Sequence, residues 1–118
     1  MAALWGEDFS DNEAALTIDL LNQVAELSSK HNAAVMFLYS TGQAQVIQDK
    51  YTPAESRLVV EMAAQKSNVS WVDLSEQMQA KDERLAFYFP QDGHWTSAGH
   101  RAVAEIVQPY ILQLLANE

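Results

Sequence analysis

The chain has 118 residues, 48% of them hydrophobic, which is enough for one globular domain with its own core. Its 16 acidic and 7 basic residues give a net charge of −9, which argues against non-specific binding to nucleic acid and against docking on anionic membranes. The absence of cysteine excludes disulfides, thiolate metal sites and a cysteine nucleophile. No signal peptide or transmembrane segment is recognisable, so we expect no membrane insertion. Localisation is left open, including export of any longer parent protein.

A capping box opens the first predicted helix, which spans residues 11 to 30. Ser10 and Glu13 are three residues apart, as the reciprocal hydrogen bonds of such a box require. Apolar residues then recur at every third or fourth position, which is typical of the buried face of a helix. Leu16, Leu20, Val24 and Leu27 form this helical stripe.

A second helix is predicted between two short apolar strands. Thr52, Pro53 and Glu55 suit the N-cap, first and third helical positions of another capping box. The predicted inner face of this helix comprises Leu58, Val59, Met62 and Ala63. Both strands are short and mainly apolar, as in parallel sheets that are covered on both faces. The predicted bounds are residues 33–39 for the first strand, a helix end near residue 66, and residues 69–74 for the second strand.

The C-terminal third is predicted to end in a long helix that begins at Thr96 or Ser97, two residues best interpreted as caps. Pro109 lies inside this helix and should kink it, because proline removes a backbone donor and crowds the preceding turn. Residues 75–80 are predicted to form a short helical turn and residues 86–89 a brief extended piece. The apolar face of the last helix comprises Val103, Ile106, Val107, Tyr110, Ile111, Leu114 and Leu115.

Helices that alternate with apolar strands predict an α/β protein with a parallel sheet between helices. No linker or repeat divides the chain, so we predict one unit over residues 1–118, in which residues 1–9 form an N-terminal arm. Trp5 and Phe9 in that arm suggest that it packs on another surface. A sheet of only two strands has two open edges and is a poor independent unit. Self-association or a missing N-terminal half is therefore expected.

The loop before the last helix contains the pair of residues with the clearest chemistry, Asp92 and His94. In open parallel sheets, active sites collect beyond the carboxyl ends of the strands, where this loop would lie. A carboxylate beside an imidazole fixes the tautomer of the ring and supports its positive charge while the ring takes a proton from a serine hydroxyl. A turn at Gly93 would bring the two side chains together. The alternative is a polar turn in which Asp92 and Gly93 serve the backbone and His94 caps it.

The segment D-G-H-W-T-S-A-G-H-R-A-V-A-E, residues 92 to 105, resembles the last conserved block of the SGNH/GDSL hydrolase superfamily. In most members two residues separate the Asp from the His. Here only Gly93 does, as in the D-x-H-W variant of the alginate acetyltransferase-like branch. The resemblance implies a three-layer α/β/α parallel sheet of the flavodoxin-like SGNH type, of which this chain is the C-terminal part. It also implies that His94 is the general base and Asp92 its orienting carboxylate.

The superfamily's serine motif, of the G-D-S type, and its Gly and Asn oxyanion donors have no counterpart in the sequence. Ser40 follows the first predicted strand and is the one serine placed where a substitute nucleophile would lie, although it is not in a G-x-S-x-G elbow. Trp95 is predicted either to pack the loop or to line an acyl pocket as a substrate-binding residue. His100 is interpreted as structural. His31, His94 and His100 match no compact metal motif, so neither a metal nor another cofactor is expected.

Three functions remain open at this point. The first is a partial SGNH-type serine esterase or acetyltransferase domain that contributes Asp92 and His94 and acts on an acyl ester, such as an acetylated carbohydrate. The second is a non-catalytic interaction or scaffold module of the same fold, with a dimer as one stable form. The third is a fragment that is stable only as a dimer with intertwined sheets.

Overall fold

The computed structural model describes residues 10–117, so the predicted arm, residues 1–9, lies outside the described residues. The described chain divides into two compact units. The first comprises the residues up to Leu38 together with Pro53–Val72, and the second comprises Tyr39–Thr52 and the residues from Asp73 onwards. Among the described residues, none of the helices has both the length and the apolar character needed to cross a membrane.

The first unit begins with helix α1, Asp11–Lys30, whose predicted bounds and cap are confirmed. The Ser10 hydroxyl accepts a hydrogen bond from the backbone N–H of Glu13 at 3.1 Å. At the other end His31 is the C-cap, and Asn32 adopts a positive φ of 55° that ends the helix. The local chemistry of the two ends therefore defines this helix.

The apolar stripe from which α1 was predicted is not its buried face. Leu16, Leu20, Val24 and Leu27 are exposed by 59, 51, 49 and 59%. Its buried residues are Ala14 and Ala25, with Ile18 and Leu21 beside them. This face packs against helix α3, Glu55–Ser67, which presents the buried alanines Ala63 and Ala64. The fully buried residues at this contact are therefore mainly alanines, which come from both helices.

Helix α3 begins two residues later than predicted. The chain is extended through Ala54, which is the N-cap and makes no side-chain capping bond, so Thr52 and Pro53 precede the helix. The proposed capping box is therefore wrong. The extended backbone places Thr52 two residues ahead of the N-cap, so its hydroxyl does not cap the free N–H groups of the first turn. On the predicted inner face Val59 and Ala63 are buried, whereas Met62 is 38% exposed.

Two strands, β1 (Met36–Tyr39) and β2 (Ser70–Asp73), pair as a two-stranded parallel sheet. Both strands are shorter than predicted, because only four residues of each segment take part in the pairing. Phe37 of β1 joins the core between α1 and α3, whereas Leu38 points to the other face and is 46% exposed. The α/β class is thus confirmed in its coarse form, and the three-layer arrangement stays a prediction.

The second unit contains helices α2 (Gln43–Val46), α4 (Leu74–Gln79) and α5 (Ser97–Ala116), and a short 3₁₀ helix at Arg84–Ala86. Helix α2 was not predicted, and the 3₁₀ helix takes part of the segment expected to be extended. The fully buried hydroxyl of Ser75 accepts hydrogen bonds from the backbone N–H and the hydroxyl of Thr41, at 2.6 and 2.8 Å. The Asp73 carboxylate caps α4 through Glu76 N–H and accepts a bond from the Tyr51 hydroxyl.

Helix α5 begins as predicted, with Thr96 as the N-cap and Pro109 inside the helix. Its predicted apolar face is only partly buried. Ala102, Ile106 and Val107 are in the core, whereas Ile111 and Leu115 are exposed by 42 and 56%. The first half of α5 is therefore the packed half, and it is the half that follows the Asp92–His94 loop.

Candidate active site

The loop that contains Asp92 and His94 is a narrow hairpin closed by backbone hydrogen bonds. Phe89 N–H donates to the His94 carbonyl at 2.9 Å, and Gly93 N–H donates back to the Phe89 carbonyl at 3.2 Å. Tyr88 and Trp95 form an antiparallel bridge just outside these bonds. Gly93 has a φ of +73°, a conformation that glycine adopts without strain. The predicted turn at Gly93 is confirmed.

The junction between this hairpin and α5 is fixed by Thr96 and Gly99. Thr96 N–H donates to the Phe87 carbonyl at 2.8 Å and its hydroxyl donates to the Ala86 carbonyl at 2.6 Å. The same hydroxyl accepts a bond from Gly99 N–H at 3.2 Å, which caps the helix. A Cβ at position 99 would lie 2.2 Å from the Phe87 carbonyl oxygen, so only glycine permits this close approach. The hairpin is thereby fastened to the start of α5.

The side chains of Asp92 and His94 are brought together at the tip of the hairpin. Asp92 Oδ1 accepts the backbone N–H of His94 at 3.0 Å and lies 3.3 Å from His94 Nδ1. The backbone N–H of His94 is the main cause that lowers the pKa of Asp92, with the imidazole ring adding to the effect. Both side chains are open to solvent, His94 by 83% and Asp92 by 60%. The pair is a carboxylate that orients an exposed imidazole through Nδ1.

Trp95 lies on the helix side of the loop and contacts His100. Their rings meet edge to face, with centroids 5.3 Å apart. Tyr88, across the bridge from Trp95, is 4% exposed, and burial raises its pKa while a hydrogen bond with the Trp95 side chain opposes that rise. Trp95 therefore has packing contacts on two sides, as the packing interpretation predicted, and a role for it in substrate binding stays a prediction. The structural role expected for His100 agrees with its contact to Trp95.

Gln43 is a neighbour of the loop that the sequence did not point to. Its Oε1 lies 3.6 Å from the position a Cβ on Gly93 would take. It is the first residue of α2 and follows the carboxyl end of β1, where a site in a parallel sheet is expected. The signal that would have found Gln43 is therefore its position relative to the strand, and not its residue type.

The remaining candidates are not joined to the pair. Ser40 directly follows β1 and is exposed, and its hydroxyl donates to the Thr41 carbonyl at 3.4 Å. Over residues 10–117 no hydrogen bond links Ser40 to Asp92 or His94. His31 is the C-cap of α1. In the part of the chain that the structure describes, no three His, Asp or Glu side chains are grouped so as to hold a metal ion.

Comparison with known protein families assigns the chain to a class. The class defined by the match is the SGNH hydrolase-like domain, and the matching model covers residues 7–117. The chain belongs to the family described as SGNH hydrolase-like domain, acetyltransferase AlgX. No curated protein and no solved structure shows significant similarity to the chain. The superfamily resemblance carried by residues 92 to 105 is thus confirmed.

Proposed function

We propose that Asp92 and His94 form the orienting carboxylate and general base of a serine-dependent acyl-ester site. The observation that carries the proposal is the 3.3 Å contact between Asp92 Oδ1 and His94 Nδ1 on a hairpin fastened to a helix start. This contact leaves Nε2 on the far side of the ring from the carboxylate. An 83% exposed ring with Nε2 free to meet a hydroxyl is suited to taking a proton from serine.

The reaction proposed for the complete site has two steps. A serine Oγ attacks the ester carbonyl carbon while its proton passes to His94 Nε2, and collapse of the adduct expels the alcohol, which takes that proton. The resulting acyl-serine is then attacked by water or by a second hydroxyl, whose proton passes to His94. Collapse of this second adduct breaks the bond to the serine Oγ, which takes the proton back from His94, and releases the acyl group as the acid or as a new ester. Asp92 stabilises the imidazolium in both steps. Water as the acceptor makes the protein an esterase, and a sugar hydroxyl makes it an acetyltransferase.

The substrate class is proposed from the family. Its description names an acetyltransferase, which favours a small acyl group, and carbohydrate acetyl esters are the class implied by the D-x-H-W resemblance. The sequence has no G-D-S motif, so the nucleophile is unassigned. Ser40 is the candidate within this chain because it directly follows β1. A serine from another polypeptide is the alternative source.

An ester-hydrolysis assay on the full chain tests the proposal. We expect His94→Ala to lower the rate of p-nitrophenyl acetate hydrolysis by about 100-fold or more, the usual contribution of a positioned base. His31→Ala is the matched control, since His31 is also an exposed histidine and caps α1, and it should leave the rate unchanged. Equal rates for the wild type and His94→Ala would exclude catalysis by this pair in the chain alone.

A fluorophosphonate probe identifies the nucleophile. We expect one serine to be labelled in the wild type and the label to be lost in His94→Ala, because the probe reacts with serines activated by a base. Peptide mass spectrometry locates the modified residue, and Ser40→Ala shows whether it is Ser40. Labelling at several serines that does not depend on His94 would count against an activated nucleophile in this chain.

A non-catalytic interaction module of the same fold is the second candidate. The exposure of the pair favours it, because working catalytic groups are generally enclosed and shielded from water. Binding of an acetylated oligosaccharide with no turnover, and with equal affinity in the wild type and His94→Ala, is the result that this candidate predicts.

A further inference from the structure

Helix α1 has two apolar faces, and only one of them packs within the described residues. The packed face contains Ala14, Ile18, Leu21 and Ala25. The second face, here called the outer stripe, comprises Leu16, Leu20, Val24 and Leu27, which are 49 to 59% exposed. At 3.6 residues per turn the two faces are separated by roughly 130° around the helix. A helix in a single globular unit normally has one such stripe, so the second indicates a second contact.

The outer stripe forms a straight line along the helix. Its spacings of four, four and three residues sum to 11 residues over three turns, close to the natural period of an α-helix, so all four side chains fall within about 80° of one another. A shallow surface groove of about 540 Å³ lies along its C-terminal half, lined by Gln23, Val24, Glu26, Leu27 and Lys30. The stripe is therefore a continuous surface suited to another helix.

The charges at the two ends of α1 specify the orientation of that second helix. The first turn carries Asp11 and Glu13, and the last turn carries Lys30. Glu13 projects on the same side as the outer stripe, and Lys30 projects on its flank. Lys30 is 68% exposed and is 3.6 Å from Glu26, an exposed pair that is worth little and that leaves the ammonium able to meet another carboxylate. An antiparallel helix with the same charges would match opposite signs at both ends.

We propose that the outer stripe binds the outer stripe of a second copy of this chain, antiparallel and about a two-fold axis. When Leu16 faces Leu27 of the second copy, Glu13 lies level with Lys30 of that copy along the seam, within reach of its long side chain, and the two-fold axis repeats both contacts. In the same register Leu20 of one copy lies opposite position 23 of the other copy, one residue from Val24. Antiparallel helices also place their opposed dipoles side by side, which is favourable. The apolar seam and the charge pairs thus select one arrangement.

The net charge of −9 on each chain opposes association. Charges more than about 8 Å apart are largely screened at physiological ionic strength, whereas the apolar contact is not affected by screening. We therefore expect a weak dimer whose dissociation constant lies in the micromolar range at about 0.15 M salt. The dimer does not depend on the proposed catalysis, and its formation is measured without any substrate.

The first experiment is sedimentation equilibrium on the full chain at up to roughly 100 µM, where complexes of micromolar affinity form. We expect the mass to approach twice the 13.2 kDa of one chain. Leu20→Glu should raise the dissociation constant at least about tenfold, because it puts a charge at the centre of the seam. Leu85→Glu is the matched control, since Leu85 is 69% exposed and lies outside the outer stripe, and it should leave the dimer intact.

The second experiment tests the orientation by charge reversal. Glu13→Lys and Lys30→Glu should each weaken the dimer by roughly three- to tenfold, since each places like charges at both symmetric contacts, and the double variant should recover the wild-type affinity. Circular dichroism confirms that each variant keeps its helices. A monomeric wild type, a dimer insensitive to Leu20→Glu, or a double variant no better than the single variants would overturn the proposal.

Discussion

The hairpin at residues 86–99 and the outer stripe of α1 are both exposed, but for different reasons. In the hairpin the backbone groups of Phe87, Phe89 and His94 are hydrogen-bonded within the segment, so the exposed Asp92 and His94 stand on a fixed base. Along the outer stripe, large apolar side chains point outwards and no described residue covers them. Binding and catalytic side chains are often carried on loops that a fixed backbone positions, whereas a group of exposed large apolar side chains is typical of an interface.

The largest effect is expected where the hairpin meets α5. Gly99→Ala would place a methyl group 2.2 Å from the Phe87 carbonyl oxygen, and neither backbone segment can rotate away as a side chain would. We expect a loss of about 2–3 kcal/mol in the free energy of unfolding, as for overpacked sites, measured by urea denaturation.

Gly42→Ala is the control for that change. Gly42 has a φ of −76°, and no neighbouring atom lies within 4 Å of the position a Cβ would take there. Gly42→Ala should therefore lower the free energy of unfolding by about 0.5 kcal/mol or less. Equal effects at the two glycines would mean that the hairpin is not fastened to the helix at Gly99, and the contrast between the two regions would fail.

A smaller effect is expected on the packed face of α1. Ala14 is fully buried, so Ala14→Leu should cost about 1–3 kcal/mol through overpacking against α3. Ala15, one position along and exposed, provides the matched variant Ala15→Leu, which should change stability by less than about 0.5 kcal/mol. Thermal unfolding followed by circular dichroism measures both. A reversed order would contradict the assignment of Ala14 to the packed face of α1.

The smallest effect concerns the titration of Asp92. Its pKa is lowered from the ordinary value of 3.8, chiefly by the backbone N–H of His94. A lowered pKa in the folded state contributes stability above the unfolded pKa, and that contribution is lost as the pH falls through the folded pKa. A carbon-detected NMR titration should therefore give a midpoint below 3.8 for this carboxyl.

His94→Ala separates the two contributions to this pKa. The variant keeps the backbone N–H and removes only the ring, so the midpoint of Asp92 should stay below 3.8 and move only part of the way towards it. A full return to the ordinary value would assign the effect to the imidazole. The backbone hydrogen bond from His94 would then contribute less to the lowered pKa of Asp92 than the structure indicates.

Local sequence signals predicted the helix starts that depend on a single capping side chain. Ser10 caps α1 and Thr96 caps α5, because a hydroxyl three residues before a free N–H bonds to it whatever surrounds it. The same reasoning failed at Thr52, where the chain stays extended through Ala54 and the helix begins later. Helix α2 was missed because four residues are too few to show a period.

The candidate site was predictable to the same local extent. Asp92, Gly93 and His94 lie within three residues, so a single turn is enough to bring the carboxylate to the imidazole. The fastening of that turn was not predictable, because Gly99 meets the Phe87 carbonyl only once α5 and the hairpin are folded together. Gln43 was missed for the same reason, as its closeness to Gly93 joins segments 50 residues apart.

The sequence by itself determined the caps of α1 and α5 and the turn at Gly93, because each depends on residues that are near one another in the chain, and it also indicated the α/β class and the family. Only the tertiary structure decided which face of α1 is buried. Periodicity identifies apolar residues on a helix but does not rank two apolar faces, and here the small residues of one face match the alanines of α3. The face that carries the larger residues Leu16, Leu20, Val24 and Leu27 stays exposed.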